Sequence, residues 1–213
     1  QLPDFDNWNA YRLIHAEGDS LPGMIIDIYG NHAVLQLRTQ GMRKLRSVIV
    51  SFLQQELAIE HILDKTLGEE REEIEEREAE WLLGGHEGNI LFEENGFDFE
   101  TNLITMQKTG FFIDQRENRN RFAQYTQEKV VLNTFSFTGG FSVYGFAGGA
   151  KEVVSVDLSK EAIRLCEQNV KLNFPDVNHQ TVVADCFQYL KQMPEAYFDV
   201  IVLDPPAFCK HIS

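Results

Sequence analysis

The sequence has few cysteines and lacks the features that take a chain into or across a membrane. Its three cysteines, Cys166, Cys186 and Cys209, form no CxxC pair. We therefore expect neither a disulfide framework nor a zinc site, and we expect the protein to occupy a reducing compartment. No run reaches the roughly 18 apolar residues of a membrane span, and no signal-peptide pattern opens the chain. We therefore expect a cytoplasmic protein with no membrane partner and no metal.

Basic residues are also scarce. The chain has 19 Lys and Arg against 33 Asp and Glu, a formal net charge of −14, which argues against a broad nucleic-acid-binding surface. Part of this excess is local, because Glu69–Glu80 contains eight Glu and two Arg. Such a run is typical of a solvated helix or loop. The remainder is only mildly acidic, so RNA binding is disfavoured but stays open.

The second half of the chain alternates strands and helices. Val130–Leu132 predicts a strand, Ser136–Gly140 a glycine turn, Phe141–Ala147 a helix, and Val153–Val156 a second strand that ends in Asp157. The complete GxGxxG pattern is missing, so this turn by itself also fits an ordinary βαβ unit. A carboxylate at the position of Asp157 can accept hydrogen bonds from the ribose hydroxyls of an adenosine.

Three successive predicted strands end in aspartate, at Asp157, Asp185 and Asp204. In an open parallel sheet, ligands bind beyond the carboxyl ends of the strands. A single Asp in such a place is more often a helix cap or a turn residue. Three of them at one edge favour a binding site.

The first half predicts a small α+β module. Met24–Tyr29 and Ala33–Thr39 alternate as strands of a hairpin through Gly30–Asn31, Gly41–Ala58 has helical spacing, and Asn95–Gly96 predicts a type I′ hairpin. We place the domain boundary so that residues 1–103 form this module and residues 104–213 form a second domain.

Between the two halves lies Gln107–Arg116, which allows a structural and a functional interpretation. Asp114 and Glu117 have the D-x-x-E spacing of a helix start that Asp114 could cap. As structure, the segment is a capped linker helix. As function, its Gln, Arg and backbone N–H groups suit a carboxylate or a phosphate.

Five motifs follow one another in the order of a known family. They are QKTGFFIDQRENR (Gln107–Arg119), LNTFSFTGGFSVYGFAGGA (Leu132–Ala150), VDLS (Val156–Ser159), ADCFQYL (Ala184–Leu190) and FDVIVLDPPAF (Phe198–Phe208). Together they resemble the class I S-adenosylmethionine-dependent methyltransferases, and among these the large-subunit rRNA methyltransferases that include 5-methylcytosine enzymes and a related 7-methylguanine domain. The resemblance implies an α/β fold, in which a Rossmann-like methyltransferase sheet, incomplete at the C-terminus, follows the small α+β domain. It also implies S-adenosyl-L-methionine as cofactor and large-subunit ribosomal RNA as partner.

The resemblance further implies which residues surround the cofactor. The segment that would close over it supplies Lys108, Thr109, Phe112, Asp114, Gln115 and Arg116. The glycine turn and the strand before it, which would wrap the amino-acid end, supply Asn133, Phe135, Ser136, Phe137, Thr138, Gly139 and Gly140. The ribose would be held by Asp157, next to which Leu158 and Ser159 would also bind the cofactor, and the adenine would be flanked by Asp185, Cys186 and Phe187. The catalytic loop, which would line the gap where methyl donor and base meet, is Asp204, Pro205 and Pro206, and Asp204 would also bind the cofactor.

Methylation of cytosine at C5 needs a thiolate that first attacks the ring. In the family this cysteine lies in a later strand-end motif that the sequence does not contain, and Cys209 does not match its position. We therefore predict that this chain binds the cofactor without methylating RNA.

Cytosine C5 is the favoured target, and guanine N7 is an alternative. A dinucleotide-dependent Rossmann oxidoreductase and a non-catalytic interaction module also remain open. The unpaired edge expected beside Phe198–Leu203 would allow a homodimer.

Overall fold

A computed structural model describes residues 8–66, 79–85 and 88–205. The chain divides into two compact units. The first contains the chain up to Gly96 together with Thr101–Ile113, and the second contains Phe97–Glu100 and the chain from Asp114 onward. The predicted boundary after residue 103 stays a prediction, because compactness does not test whether either segment folds by itself.

A five-stranded sheet forms the centre of the first unit. Its elements are β1 (Ala10–His15), a 3₁₀ turn (Ala16–Asp19), β2 (Met24–Tyr29), β3 (His32–Leu37), α1 (Gln40–Lys44), α2 (Arg46–Leu57), β4 (His61–Asp64) and β5 (Glu80–Leu83). The strands lie in the order β1-β2-β3-β4-β5. β3 and β4 pair in parallel across the helices that join them, and the other neighbours are antiparallel. Leu53 of α2 shares one buried apolar cluster with Ile26, Leu35 and Ile62 of the sheet.

The hairpin predicted through Gly30–Asn31 is confirmed, because β2 and β3 form an antiparallel pair with Tyr29 opposite His32. The predicted single helix Gly41–Ala58 is wrong, since the chain forms two helices there. Leu45 leaves α-helical geometry, with a ψ of 1°, between α1 and α2. The acidic run Glu69–Glu80 lies outside the described residues except for its last two, and Glu80 begins β5 rather than a helix or loop.

The type I′ hairpin predicted at Asn95–Gly96 is also confirmed. β6 (Ile90–Glu94) and β7 (Phe97–Thr101) form a two-stranded sheet. Asn95 and Gly96 have φ values of +53° and +80°. Two consecutive left-handed residues are the geometry that Asn-Gly favours in a two-residue loop.

The helix start predicted at Asp114 differs in the structure. Asp114 lies inside a 3₁₀ turn (Ile113–Gln115), which precedes α3 (Arg116–Ala123). The turn moves the helix start along the chain, so Gln115 occupies the capping position and makes no side-chain cap bond. The prediction that Asp114 caps this helix is therefore wrong.

The second unit carries a parallel sheet with helices between its strands. After α3 come β8 (Val130–Thr134), α4 (Gly140–Ala147), β9 (Glu152–Asp157), α5 (Lys160–Asn173), β10 (His179–Val183), α6 (Cys186–Gln192) and β11 (Val200–Leu203). The strands pair in the order β10-β9-β8-β11, all in parallel. This order confirms the Rossmann-like sheet that the sequence predicts. No helix in the described ranges is both long and apolar enough to cross a membrane.

β11 lies at one edge of this sheet as far as the structure describes it. Its alternate residues Ile201 and Leu203 are 49% and 58% exposed. The described edge is therefore apolar, as expected from the Phe198–Leu203 sequence.

Candidate functional site

The strand order places a crevice at one edge of the parallel sheet. β9 and β10 lie on one side of β8, and β11 lies on the other. In such sheets, ligands bind beyond the carboxyl ends of the strands, where the order reverses. Asp157 ends β9, Asp204 directly follows β11, and Asp185 caps α6 just after β10. The fold therefore brings all three predicted aspartates to this edge.

The loop after β8 has an unusual backbone. Phe135 and Phe137 have φ values of +52° and +48°, and Gly139 has +83°. Positive φ is unfavourable for bulky residues and persists only where the surroundings impose it, often at ligand sites. The sequence predicts this freedom for the glycines alone. Nothing in its pattern identifies the two phenylalanines, because their geometry depends on distant contacts.

Three backbone N–H groups of this loop are held by neighbouring elements. The N–H of Phe135 donates to the Cys186 thiol at 3.2 Å, and that of Ser136 to the Val156 carbonyl at 3.1 Å. The N–H of Phe137 donates to Asp157 Oδ2 at 2.9 Å. These bonds fix the start and the middle of the loop against β9 and α6.

Asp157 is half-buried and organises two loops at once. Its Oδ1 accepts a hydrogen bond from the N–H of Ser159 at 2.9 Å, while Oδ2 holds Phe137. The hydroxyl of Ser159 in turn caps α5 by accepting from the N–H of Ala162 at 3.2 Å. An ionised carboxylate has about four lone-pair sites, so the hydrogen bonds from Phe137 and Ser159 leave acceptor capacity at Asp157.

Gly139 lies directly against α5. A Cβ at this position would be 2.6 Å from the Cys166 sulfur and 3.0 Å from its Cα, distances at which atoms clash. Its positive φ also disfavours any other residue. Both observations require glycine here, and they bring the backbone that leads into α4 close to α5.

A hydroxyl in the same loop is buried without a hydrogen bond. Thr138 is 0% exposed, and its Oγ1 has no partner among the residues that the structure describes. Buried polar atoms are usually paired, and exceptions concentrate where strain or a ligand explains them. Thr138 is therefore a second sign, besides the positive φ values, that this loop is not arranged for stability alone.

The Asn133 side chain lies under the loop in a buried polar network. Its Nδ2 donates to Ser142 Oγ at 2.8 Å, which contacts Ser155 Oγ at 2.7 Å, and Ser155 contacts His179 Nε2 at 2.8 Å. Burial lowers the pKa of His179 to about 4, so this imidazole is neutral near pH 7. This network was not predicted from the sequence. Its only signal is the pair of serines inside otherwise apolar elements.

The two described cysteines are buried thiols. Burial raises the pKa of Cys166 to about 11, which agrees with the core position predicted for it. Burial also raises the pKa of Cys186, whose thiol donates to the Val156 carbonyl at 3.4 Å. Neither is poised as a thiolate, because burial disfavours the charged form. Cys209 lies outside the described residues.

The remaining predicted residues of the second unit line the same edge with different exposure. Asp185 is exposed and caps α6, its Oδ1 accepting from the N–H of Gln188 at 2.9 Å. The rings of Phe187 and Phe135 pack edge to face at 5.7 Å. Leu158, Asp204 and Pro205 are also exposed, and Pro206 lies outside the described residues.

The segment expected to close over the cofactor is divided between the two units, with Thr101–Ile113 in the first and the chain from Asp114 in the second. Thr109 belongs to the first unit, where its hydroxyl donates to Asp27 Oδ2 at 2.6 Å and contacts the Tyr29 hydroxyl at 3.1 Å. The Lys108 ammonium lies 4.0 Å from the centre of the Phe112 ring. A role in cofactor binding stays a prediction for this segment, whose predicted residues are Lys108, Thr109, Phe112, Asp114, Gln115 and Arg116.

Known proteins match both the sequence and the fold. A family described as S-adenosylmethionine-dependent methyltransferase matches residues 65–212. The chain is 40% identical to "Ribosomal RNA large subunit methyltransferase I" of Aeromonas salmonicida over 212 residues, which is 94% of this chain and 52% of that protein. The chain thus spans about half the length of the curated relatives it matches.

Two solved structures share the fold. A candidate S-adenosylmethionine-dependent methyltransferase from Streptococcus mutans is 32% identical, with a TM-score of 0.80 over 93% of this chain and 52% of that one. A candidate methyltransferase, SMU.776, complexed with SAH, is also 32% identical, with a TM-score of 0.82 over 95% of this chain and 53% of that one.

Proposed function

Because the chain belongs to the S-adenosylmethionine-dependent methyltransferase family, we propose that it binds S-adenosylmethionine and that the protein containing it methylates a base of large-subunit ribosomal RNA. One observation carries the binding proposal. Where the strand order reverses, a strained loop is held by Asp157, and that carboxylate keeps acceptor capacity. The relative from Aeromonas salmonicida, named as a ribosomal RNA methyltransferase, supports the proposed substrate.

Asp157 suits the ribose of the cofactor. Each of its oxygens accepts one backbone N–H at 2.9 Å, and each can accept a second hydrogen bond. Ribose hydroxyls can therefore donate to Asp157 without displacing the contacts that hold the loop. The half-buried position strengthens such a charged hydrogen bond compared with one in open water.

The beginning of α4 suits the amino-acid end. α4 starts at Gly140, and its capping residue Gly139 has no side chain that could occupy the first N–H groups. These groups, together with the helix dipole, attract a carboxylate. The missing Cβ of Gly139 also keeps the backbone open to close approach. When bound, the cofactor supplies an electrophilic methyl group on a cationic sulfur, and the residues of this chain hold and orient it.

The target base is proposed in two forms. Cytosine C5 is the first candidate, on the strength of the motif resemblance, and it requires a thiolate to activate the ring. Cys166 and Cys186 are both buried with raised pKa values, so that thiolate would come from outside the described residues. The same observation favours guanine N7 as a second candidate, because N7 attacks through its own lone pair and needs no thiolate.

Titration calorimetry tests the cofactor. The chain is titrated with S-adenosylhomocysteine and, separately, with NADH. We expect binding of S-adenosylhomocysteine and none of NADH. The opposite result would contradict the proposal and favour the dinucleotide-dependent oxidoreductase, which shares the glycine turn and the strand-terminal carboxylate.

A second experiment tests the substrate. The natural full-length protein is incubated with a labelled methyl donor and unmodified large-subunit rRNA, which is then digested to nucleosides. Label in 5-methylcytidine or 7-methylguanosine would identify the base. An rRNA that takes up no label would refute the proposed substrate and leave the cofactor assignment untouched.

A further inference from the structure

Two asparagines of α5 bind the backbone of β7 in the second unit. Asn169 accepts from the N–H of Glu100 at 2.7 Å and donates to the carbonyl of the same residue at 3.1 Å. Asn173 does the same with Asp98, at 2.9 Å and 2.8 Å. The two side-chain amides thus pair with alternate residues of β7 as a neighbouring strand would. Asn169 and Asn173 are called the asparagine clamp below.

Only one member of the clamp reaches the loop after β8. The Nδ2 of Asn169 also donates to the Thr138 carbonyl at 2.8 Å. The Nδ2 of Asn173 instead gives its second hydrogen bond to the Asn169 carbonyl, at 2.8 Å. Asn169 is 0% exposed, so water cannot replace its amide. The two residues are therefore alike toward β7 and different toward the loop.

The bond from Asn169 completes the fixation of one peptide unit. The peptide between Thr138 and Gly139 is held at its other side by the N–H of Gly139, which donates to the Ser136 carbonyl at 2.9 Å. Phe137 and Gly139, on either side of Thr138, both have positive φ. A bulky residue such as Phe137 keeps this conformation only where the surroundings hold it. Without the Asn169 donor, this peptide is held on one side only.

We propose that Asn169 is a positioning residue of the S-adenosylmethionine site. By holding the Thr138 carbonyl, it keeps the backbone of Gly139 and the beginning of α4 in the geometry that receives the amino-acid end of the cofactor. The inference rests on the cofactor binding proposed above. It assigns Asn169 to the last part of the loop, whereas Cys186 and Asp157 hold its start and middle.

Matched substitutions at the two clamp positions test this role. Asn169→Ser and Asn173→Ser each remove one amide that binds β7. Asn169→Asp and Asn173→Asp form a second pair, in which the volume and one acceptor oxygen stay and an oxygen replaces the NH₂ group with its two donors. Thermal unfolding measures stability. Calorimetry with S-adenosylhomocysteine, at a temperature where every variant is folded, measures affinity.

We expect both positions to lose stability and only Asn169 to lose affinity. A buried carbonyl left without its donor weakens S-adenosylhomocysteine binding by about tenfold or more in the Asn169 variants. The Asn173 variants should bind within about twofold of the unmodified chain, because their lost bonds do not reach the loop.

Three results with the variants would overturn the inference. The Asn169 variants could bind as tightly as the unmodified chain, or the variants at both positions could lose affinity equally. Alternatively, both Asn169 variants could fail to fold while the Asn173 variants fold, which would show a general structural role. An unmodified chain that does not bind S-adenosylhomocysteine would overturn the proposed function and this inference with it.

Discussion

Replacement of Asp157 by Ala should weaken cofactor binding through two separate losses. The first is the direct contact to the ribose, since a hydrogen bond to a charged group contributes about 1.5–3 kcal/mol. The second is the hydrogen bond from the N–H of Phe137 to Oδ2, at 2.9 Å, which holds the strained part of the loop. The acceptor of this bond is the same carboxylate, so its loss adds at least about 1 kcal/mol. Together they predict an affinity for S-adenosylhomocysteine roughly 100-fold or more below that of the unmodified chain.

A double-mutant cycle separates the two losses at Asp157. Calorimetry compares S-adenosylhomocysteine with its 2′-deoxy and 3′-deoxy analogues, on the unmodified chain and on Asp157→Ala. On the unmodified chain, at least one missing hydroxyl should reduce affinity by about 1.5–3 kcal/mol. On Asp157→Ala the same omission should have almost no further effect, because the partner of that hydroxyl is already gone. The loss of affinity that is common to all three ligands, when Asp157→Ala is compared with the unmodified chain, then measures the effect of the loosened loop.

Asp199 provides a matched control for Asp157. Its carboxylate accepts from the N–H of Val130 at 2.8 Å, at the amino end of the same sheet. Asp199→Ala should therefore lose some stability and bind all three ligands normally. The assignment of Asp157 to the ribose is refuted if Asp157→Ala binds S-adenosylhomocysteine as the unmodified chain does. It is also refuted if the deoxy analogues lose equal affinity on both proteins.

Three further predictions concern stability. Gly139→Ala should lower the free energy of unfolding in urea by about 1–3 kcal/mol, because its Cβ would clash and its φ is +83°. Gly41→Ala should not lower it, because no atom lies within 4 Å of its Cβ. Equal losses for the two variants would contradict this prediction. The pKa of His179 is 6.5 in the unfolded chain and about 4 in the folded one, so the unfolded chain binds more protons between these pH values. The free energy of unfolding should therefore drop by about 3 kcal/mol as pH falls through that window. In urea unfolding, His179→Gln should lack this pH dependence, and a dependence of the same size in the variant would assign it to other groups. Tyr29→Phe removes a buried hydroxyl that accepts a backbone N–H at 3.1 Å and should lower the free energy of unfolding by about 1–3 kcal/mol. Tyr125→Phe should hardly change it, because this side chain is 69% exposed. Similar unfolding midpoints for the two variants would contradict the prediction.

Local patterns of the sequence determined most of the secondary structure. Asn95–Gly96 forms its predicted turn because the preference for two left-handed residues lies in the dipeptide itself. The alternation of apolar strands and helices from Val130 onward is likewise local, and it favours a parallel sheet with helical crossovers. The local errors have local causes too. Leu45 divides one predicted helix, and a 3₁₀ turn displaces the cap expected at Asp114, details that hydrophobic spacing does not encode.

The sequence by itself therefore determined the class of fold, the glycine turn and the three strand-terminal aspartates. Only the tertiary structure decided how the loop after β8 is held. Phe137 meets Asp157, and Asn169 joins Glu100 to Thr138 across a separation of 69 residues on one side and 31 on the other. Such contacts leave no periodic trace, because they depend on where the sheet and α5 place distant backbone atoms. The strained geometry of Phe135 and Phe137 is stable only once those contacts exist, so it could not be predicted from the residues alone.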